Sequence, residues 1–315
     1  MSSTRLDLFS ALVNDPSLAQ GSTVKALCEA SSVRRRTLLR ALCASACATI
    51  LPLARAHSEA RALPLKNLGL EHLDLVVPDP AESARFYKRV FSSPLHEQDF
   101  RGGKRYFVLL GDLPPDRQVG YIAIGAANGR PITVGHYCAL AESADLELIA
   151  KELAAAGYPQ PSGGFGLIPD PDGLELQLFK LPAGLVTAAV PSSLEVTRDG
   201  ILAPLRLEHV LLAVSDIDRA KRYYRFMYGE GIDAPDRAAP ERVWFKLARN
   251  TRIGLEPVGQ GGMPRFVRFG VRVAPFDSAR VAPLLQAAGA ELLSVTSSLI
   301  RFRDNYGITV EVVAG

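Results

Sequence analysis

The chain repeats itself, and the repeat limits what it can fold into. Leu68-Gly-Leu-Glu-His72-Leu-Asp-Leu-Val-Val-Pro-Asp79 recurs 137 residues later as Leu205-Arg-Leu-Glu-His209-Val-Leu-Leu-Ala-Val-Ser-Asp216. Both run into helix-like segments, Ala84-Arg-Phe-Tyr87 and Lys221-Arg-Tyr-Tyr224. Leu153-Ala-Ala-Ala-Gly157 is echoed by Leu285-Gln-Ala-Ala-Gly289. The ends also correspond: Asp170-Pro-Asp-Gly173-Leu-Glu-Leu-Gln177 matches Asp304-Asn-Tyr-Gly307-Ile-Thr-Val-Glu311. A repeat of this kind means one architecture built twice. The copies span residues 66–180 and 204–315, with a Pro/Ser/Gly-containing linker at 181–203.

Each copy divides again. Residues 68–77 alternate as a strand, and Asp79-Pro80 starts a helix that runs to about Phe91. Residues 105–110 and 120–124 read as strands. Val134 to Leu140 opens a second strand–helix pair, with Gly157 as the expected glycine end of its helix. Leu174 to Phe179 closes the copy. The pattern is a β-α-β-β-β unit used four times. It predicts an α+β fold of tandem domains, each a curved sheet with one face against helices and the other open as a cup.

The first 56 residues have a different composition. Arg34-Arg35-Arg36-Thr37-Leu38-Leu39-Arg40 precedes an apolar stretch, Ala41 to Leu53, and then Ala54-Arg55-Ala56. Basic, apolar and small-residue parts in that order form an export signal, and the arginine pair resembles the twin-arginine type. The apolar stretch is too short for a bilayer core of ~30 Å. The chain carries 36 basic and 33 acidic residues, a formal charge of +3. Cleavage after Ala56 would leave 29 basic against 30 acidic residues. The mature chain therefore has no charge excess that calls for a nucleic-acid partner. A periplasmic or secreted protein without a stable membrane anchor is expected, and a homodimer is admitted. Of the four cysteines, only Cys138 lies beyond residue 60, which excludes an intramolecular disulfide or a cysteine-based zinc site in the body.

The Glu-His openings, the Phe86-Tyr87 and Tyr223-Tyr224 helix pairs and the Asp170-Pro-Asp-Gly173 turn resemble the vicinal-oxygen-chelate superfamily, which includes glyoxalases, bleomycin-resistance proteins and extradiol dioxygenases. The resemblance covers nearly all of residues 66–315. Four units in one chain are similar to the extradiol dioxygenase layout.

Strand alternation selects the residues that face the cup. Leu73, Leu75 and Val77 share one face of the opening strand, so His72 and Asp74 take the other. His136 lies with Val134 and Cys138, and Glu175 and Gln177 lie opposite Leu174, Leu176 and Leu178. The resemblance implies metal ligands at His72, His136 and position 177. Two histidines and a carboxylate would form the facial triad of a non-haem Fe(II) site. Here position 177 is Gln, a departure from the family's acid, and Glu175 is its neighbour on the same face. In the second copy His209 and Glu311 hold the corresponding first and last places, and Glu256 lies on a neighbouring strand. Arg268 matches His136 there, suited to an anionic ligand or to an ion pair with Glu311. The family's dioxygenases carry iron in the second domain, so the richer ligand set here is in the reverse order.

The expected activity is a metal-dependent reaction on a small molecule with adjacent oxygens. Extradiol-like cleavage of a catechol-like substrate with Fe(II) is favoured. A glyoxalase-like lyase or isomerase with Ni, Zn or Mn and Glu175 as base is the alternative, and a non-enzymatic small-molecule binder is the third reading.

Overall fold

The computed structural model describes residues 63, 65–100, 103–113, 118–161, 166–180, 189–196, 200–229 and 239–315. The expected export segment and parts of the linker lie outside the described residues. Residues 60–315 form one compact unit.

The first repeat unit contains β1 (Asn67–Val77), α1 (Pro80–Val90), β2 (Leu95–Phe100), β3 (Gly103–Leu113) and β4 (Gln118–Ala126). The second contains β5 (Thr133–Ala141), α2 (Leu146–Ala156), β6 (Leu167–Pro169) and β7 (Glu175–Lys180), and is followed by the two-residue β8 (Val190–Pro191). The third contains β9 (Pro204–Val214), α3 (Ile217–Tyr228), β10 (Val243–Leu247) and β11 (Thr251–Pro257). The fourth contains β12 (Arg265–Val273), α4 (Ser278–Ala287), β13 (Glu291–Val295), β14 (Leu299–Arg303) and β15 (Thr309–Ala314). The fold is α+β, as expected. Among the described residues the second and third units have two strands after the helix rather than three.

The helices start where an aspartate satisfies the free amides of the first turn. Asp79 accepts from the Glu82 amide, Asp145 from Glu147 and Leu148, Asp216 from Asp218 and Arg219, and Asp277 from Ala279 and Arg280. Gly157 closes α2 in the left-handed region at φ 75°.

The strands form two sheets, ordered β6-β7-β5-β1-β4-β3-β2-β8 and β10-β11-β9-β12-β15-β14-β13. In each, the opening strands of two units pair antiparallel at the centre, β1 with β5 and β9 with β12. Each opening strand also pairs in parallel with the last strand of its own unit: β1 with β4, β5 with β7, β9 with β11 and β12 with β15. This places His72 and His136 on adjacent central strands.

One continuous core joins the apolar faces of both sheets. It includes Leu73, Leu75 and Val77 of β1, Phe86 and Tyr87 of α1, Leu176 of β7, Val210 and Leu212 of β9, and Tyr223 and Tyr224 of α3. The helices cross between the halves. Tyr87 packs against Phe269, and Phe86 against Phe302. Tyr158 of the first half packs against Tyr223 and Phe226.

Two irregularities shape the first cup. Leu70 pairs with Ala139 and Leu73 with Tyr137, so Glu71 and His72 together oppose Cys138. This is a β-bulge, which turns two consecutive residues toward one side. Asp74 pairs with His136 but Leu75 with Val134, which makes Gly135 an extra residue. Val134 therefore packs in the core rather than beside His136, contrary to simple alternation. The second sheet repeats the first bulge: His209 pairs with Gly270 and Leu207 with Val271, leaving Glu208 as the extra residue.

Candidate metal centre

His72 and His136 meet in the first cup with their Nε2 atoms 3.3 Å apart. Nδ1 of His72 lies 2.5 Å from Oε2 of Glu71. A carboxylate on one imidazole nitrogen fixes the tautomer and leaves the other nitrogen as a ligand. Tyr121 stacks on the His72 ring, with centroids 4.5 Å apart and planes 10° apart. Phe179 closes another side at 5.6 Å. Burial, with help from His72 and Arg105, holds His136 well below the usual histidine range, so its ring is neutral at physiological pH. Gln177 hydrogen-bonds that ring from β7, where it is 6% exposed.

Two nitrogen ligands each ~2.1 Å from one metal lie about 3.0–3.4 Å apart between right-angled and tetrahedral geometry. The observed 3.3 Å fits that requirement. Both rings are buried, and Gln177 supplies an amide beside them. The residues therefore suit a divalent metal. Glu71, His72 and Cys138 also bring ligand atoms within 4.8 Å of one another. Burial and Glu71, however, push the Cys138 thiol well above its usual range, which disfavours the thiolate that would ligate.

The other residues around the pair take distinct places. Glu175 sits across the β5–β7 register from His136 and is half-buried. Burial raises its carboxyl pKa, and Arg130 partly offsets the rise. Asp74 faces the cup, with Oδ2 3.8 Å from Nδ1 of His136, and is held by Arg105. Tyr106, on the other face of β3, is in the core. Tyr137 is likewise core packing, 3.3 Å from the Tyr228 hydroxyl.

The second cup is filled by its own charges. His209 contacts Glu208 through Nδ1, and its Nε2 lies 3.0 Å from Glu311. Arg268 reaches Glu311 at 2.8 Å, and Arg301 reaches it at 2.6 Å. Of the two alternatives for Arg268, the ion pair is the one present. Burial opposes charge on His209, but the two glutamates outweigh it and hold the imidazole above its usual range. Glu208 and Glu311 are buried as well, yet His209 and the arginines hold each at about 2. Glu256 does not join this group; it pairs with Arg242 at 2.7 Å. Gly270 makes the arrangement possible, since a Cβ there would lie 2.2 Å from Cε1 of His209.

Sequence reasoning missed Glu71 and Tyr121. Tyr121 had a signal, because it alternates with the core residues Ile122 and Ile124. Glu71 had none, because alternation assigns it to the core face and the bulge turns it into the cup.

No family model and no curated protein matches the sequence. Solved structures do match. A 2,3-dioxygenase, LapB, from Pseudomonas sp. KL28 is 16% identical, with a TM-score of 0.58 over 80% of this chain and 94% of its own. The Mn(II)-bound glyoxalase from Novosphingobium aromaticivorans is 16% identical, with a TM-score of 0.55 over 79% and 83%. Homoprotocatechuate 2,3-dioxygenase from Arthrobacter globiformis is 15% identical, with a TM-score of 0.56 over 81% and 82%. The fold is that of the extradiol dioxygenases and glyoxalases. Identities this low show the fold alone, and function has to be argued from the cup.

Proposed function

We propose that the first cup is the active site of a metal-dependent enzyme acting on a small molecule with two adjacent oxygens, and that the reaction is extradiol-dioxygenase-like. The observation that carries this is the convergence of the His72 and His136 Nε2 atoms at 3.3 Å, with Glu71 on the far nitrogen of His72. His72, His136 and Gln177 would hold the metal, with Fe(II) favoured. A bound divalent metal supplies Lewis-acid polarisation and a template for the two oxygens. Glu71 holds His72 in its ligand tautomer. Tyr121 and Phe179 wall the site and exclude water around it.

Glu175 supports a second reading. Its raised carboxyl pKa beside the cup mouth suits a group that takes and returns a proton, as a glyoxalase-like isomerisation needs. The leader residues support twin-arginine-type export and a periplasmic site of action, and this too is a proposal.

Metal content per chain tests the reading. Wild-type protein is compared with a His72→Ala/His136→Ala double variant and then assayed on catechols. About one Fe per wild-type chain, lost in the variant, with ring cleavage, is expected. Ni, Zn or Mn in its place favours proton transfer by Glu175. No metal in either protein overturns the metal-centred reading and leaves a non-enzymatic binder.

A further inference from the structure

Next to Asp74, which faces Nδ1 of His136, a cavity of about 160 Å³ lies on the same open face of the first sheet. For scale, a dry cavity of ~150 Å³ accommodates benzene. Its walls carry three cations, Lys104, Arg105 and Arg130, against one carboxylate, Asp74. Part of its floor is glycine: a Cβ added at Gly103 or Gly125 would meet nothing within 4 Å.

The three cations are not equally neutralised. Arg105 is bound to Asp74, and Lys104 is bound to Glu97 outside the cavity. Arg130 donates to the carbonyls of Ala127 at 3.1 Å and Ala126 at 3.4 Å. Carbonyls orient the guanidinium without cancelling its charge, which acts at longer range on the Asp74 and Glu175 carboxylates and is in direct ion-pair contact with neither. Arg105 is held in place by the rings of Phe100 and Phe107, at 5.6 and 5.9 Å from its guanidinium carbon. Its Nε is buried and makes no hydrogen bond among the described residues. Asp74 links the two regions, since its other oxygen faces the His136 ring.

We infer that this cavity is an anion subsite, so the substrate carries a carboxylate or a similar small anionic group that rests between Arg105 and Arg130 while its adjacent oxygens reach the metal position that His72 and His136 define. The inference deepens the metal-centred reading and rests on it for the second half of that pose. A planar guanidinium fork suits a carboxylate because two parallel N–H donors meet two oxygens. The Gly125 floor leaves room for the part of the substrate between the anionic group and the adjacent oxygens.

Calorimetric titration of the full chain with catechol, 3,4-dihydroxybenzoate and benzoate tests this, with and without chelator treatment. In metal-loaded protein, 3,4-dihydroxybenzoate should bind at least tenfold tighter than catechol. Arg130→Gln should reduce that preference to less than threefold, and Arg105→Gln should do the same where the variant folds. Gly125→Val, which fills the floor without changing charge, should reduce it as well. Benzoate has no adjacent oxygens and should still bind after chelation. Equal affinity for catechol and 3,4-dihydroxybenzoate, or a preference unchanged in Arg130→Gln and Gly125→Val, overturns the subsite. Benzoate binding in protein that never takes up metal would keep the subsite and overturn the metal centre instead.

Discussion

Tyr87 of α1 donates its hydroxyl to Asp304, 2.8 Å away in the turn before the last strand of the other half. The same relationship runs the opposite way: Tyr224 of α3 donates to Asp170 at 3.2 Å. Each aspartate also caps its own turn, Asp304 through the amides of Tyr306 and Ile308, and Asp170 through those of Asp172 and Leu174. Burial raises both carboxyl pKa values, against the pull of these hydrogen bonds. Two sequence motifs of each copy, the aromatic helix pair and the aspartate turn, thus meet across the molecule rather than within a copy.

Tyr87→Phe should therefore destabilise the whole unit, not one half. A buried hydrogen bond to a charged group contributes about 1.5–3 kcal/mol. Thermal melts of Tyr87→Phe and Tyr224→Phe should each show one cooperative transition at lower temperature, with the smaller loss in Tyr224→Phe. Two separate transitions would count against the shared core.

Glu71→Gln should weaken divalent metal binding in the first cup by about 10–100-fold, the usual cost of losing a carboxylate behind a histidine ligand. Gln177→Glu should act in the opposite direction, adding a charge beside His136 and tightening binding at least tenfold. Metal titration with a competing chelator measures both. An affinity unmoved by either substitution would show that the ion sits elsewhere.

In the second cup, His209 and Glu311 are already 3.0 Å apart, and Arg268 takes the place that His136 holds in the first. Arg268→His should convert this closed group into a two-histidine, one-carboxylate site. In a His72→Ala/His136→Ala background, that third substitution should restore about one metal per chain. Metal-free triple variant would mean that Arg301, which also reaches Glu311, is enough to keep the cup closed.

The charges of the second cup give stability a direction with pH. His209 lies above its ordinary 6.5, so its contribution is full below 6.5 and is lost as pH rises through the folded value. Glu208 and Glu311 lie at about 2 against an ordinary 4.5, so theirs is present above 4.5 and lost as pH falls through about 2. The melting temperature of His209→Gln should fall furthest below wild type between pH 5 and 6, and the gap should narrow by pH 9. A gap independent of pH would identify His209 as neutral.

Much of this was legible in the sequence. The repeat gave the tandem layout, the aspartates gave the helix starts, and alternation brought His72, His136 and Gln177 into one cup. The offset between copies matched Arg268 to His136. The bulges were not legible, because an extra residue shows only in how a strand pairs with its neighbour: Glu71-His72 together oppose Cys138, and Gly135 is skipped between Val134 and His136. That is why Glu71 was missed and Val134 was assigned to the wrong face. Nor does a repeat reveal which copy a helix packs against. Tyr87 and Asp304 are 217 residues apart, and only the shared core brings them together.

The crossed tyrosines make the chain doubled but not divisible. Severed in the 181–203 segment, each half would keep its own sheet hydrogen bonds yet expose the aromatic surface that the other half's helix now covers. Such fragments should fail alone and complement each other when produced together.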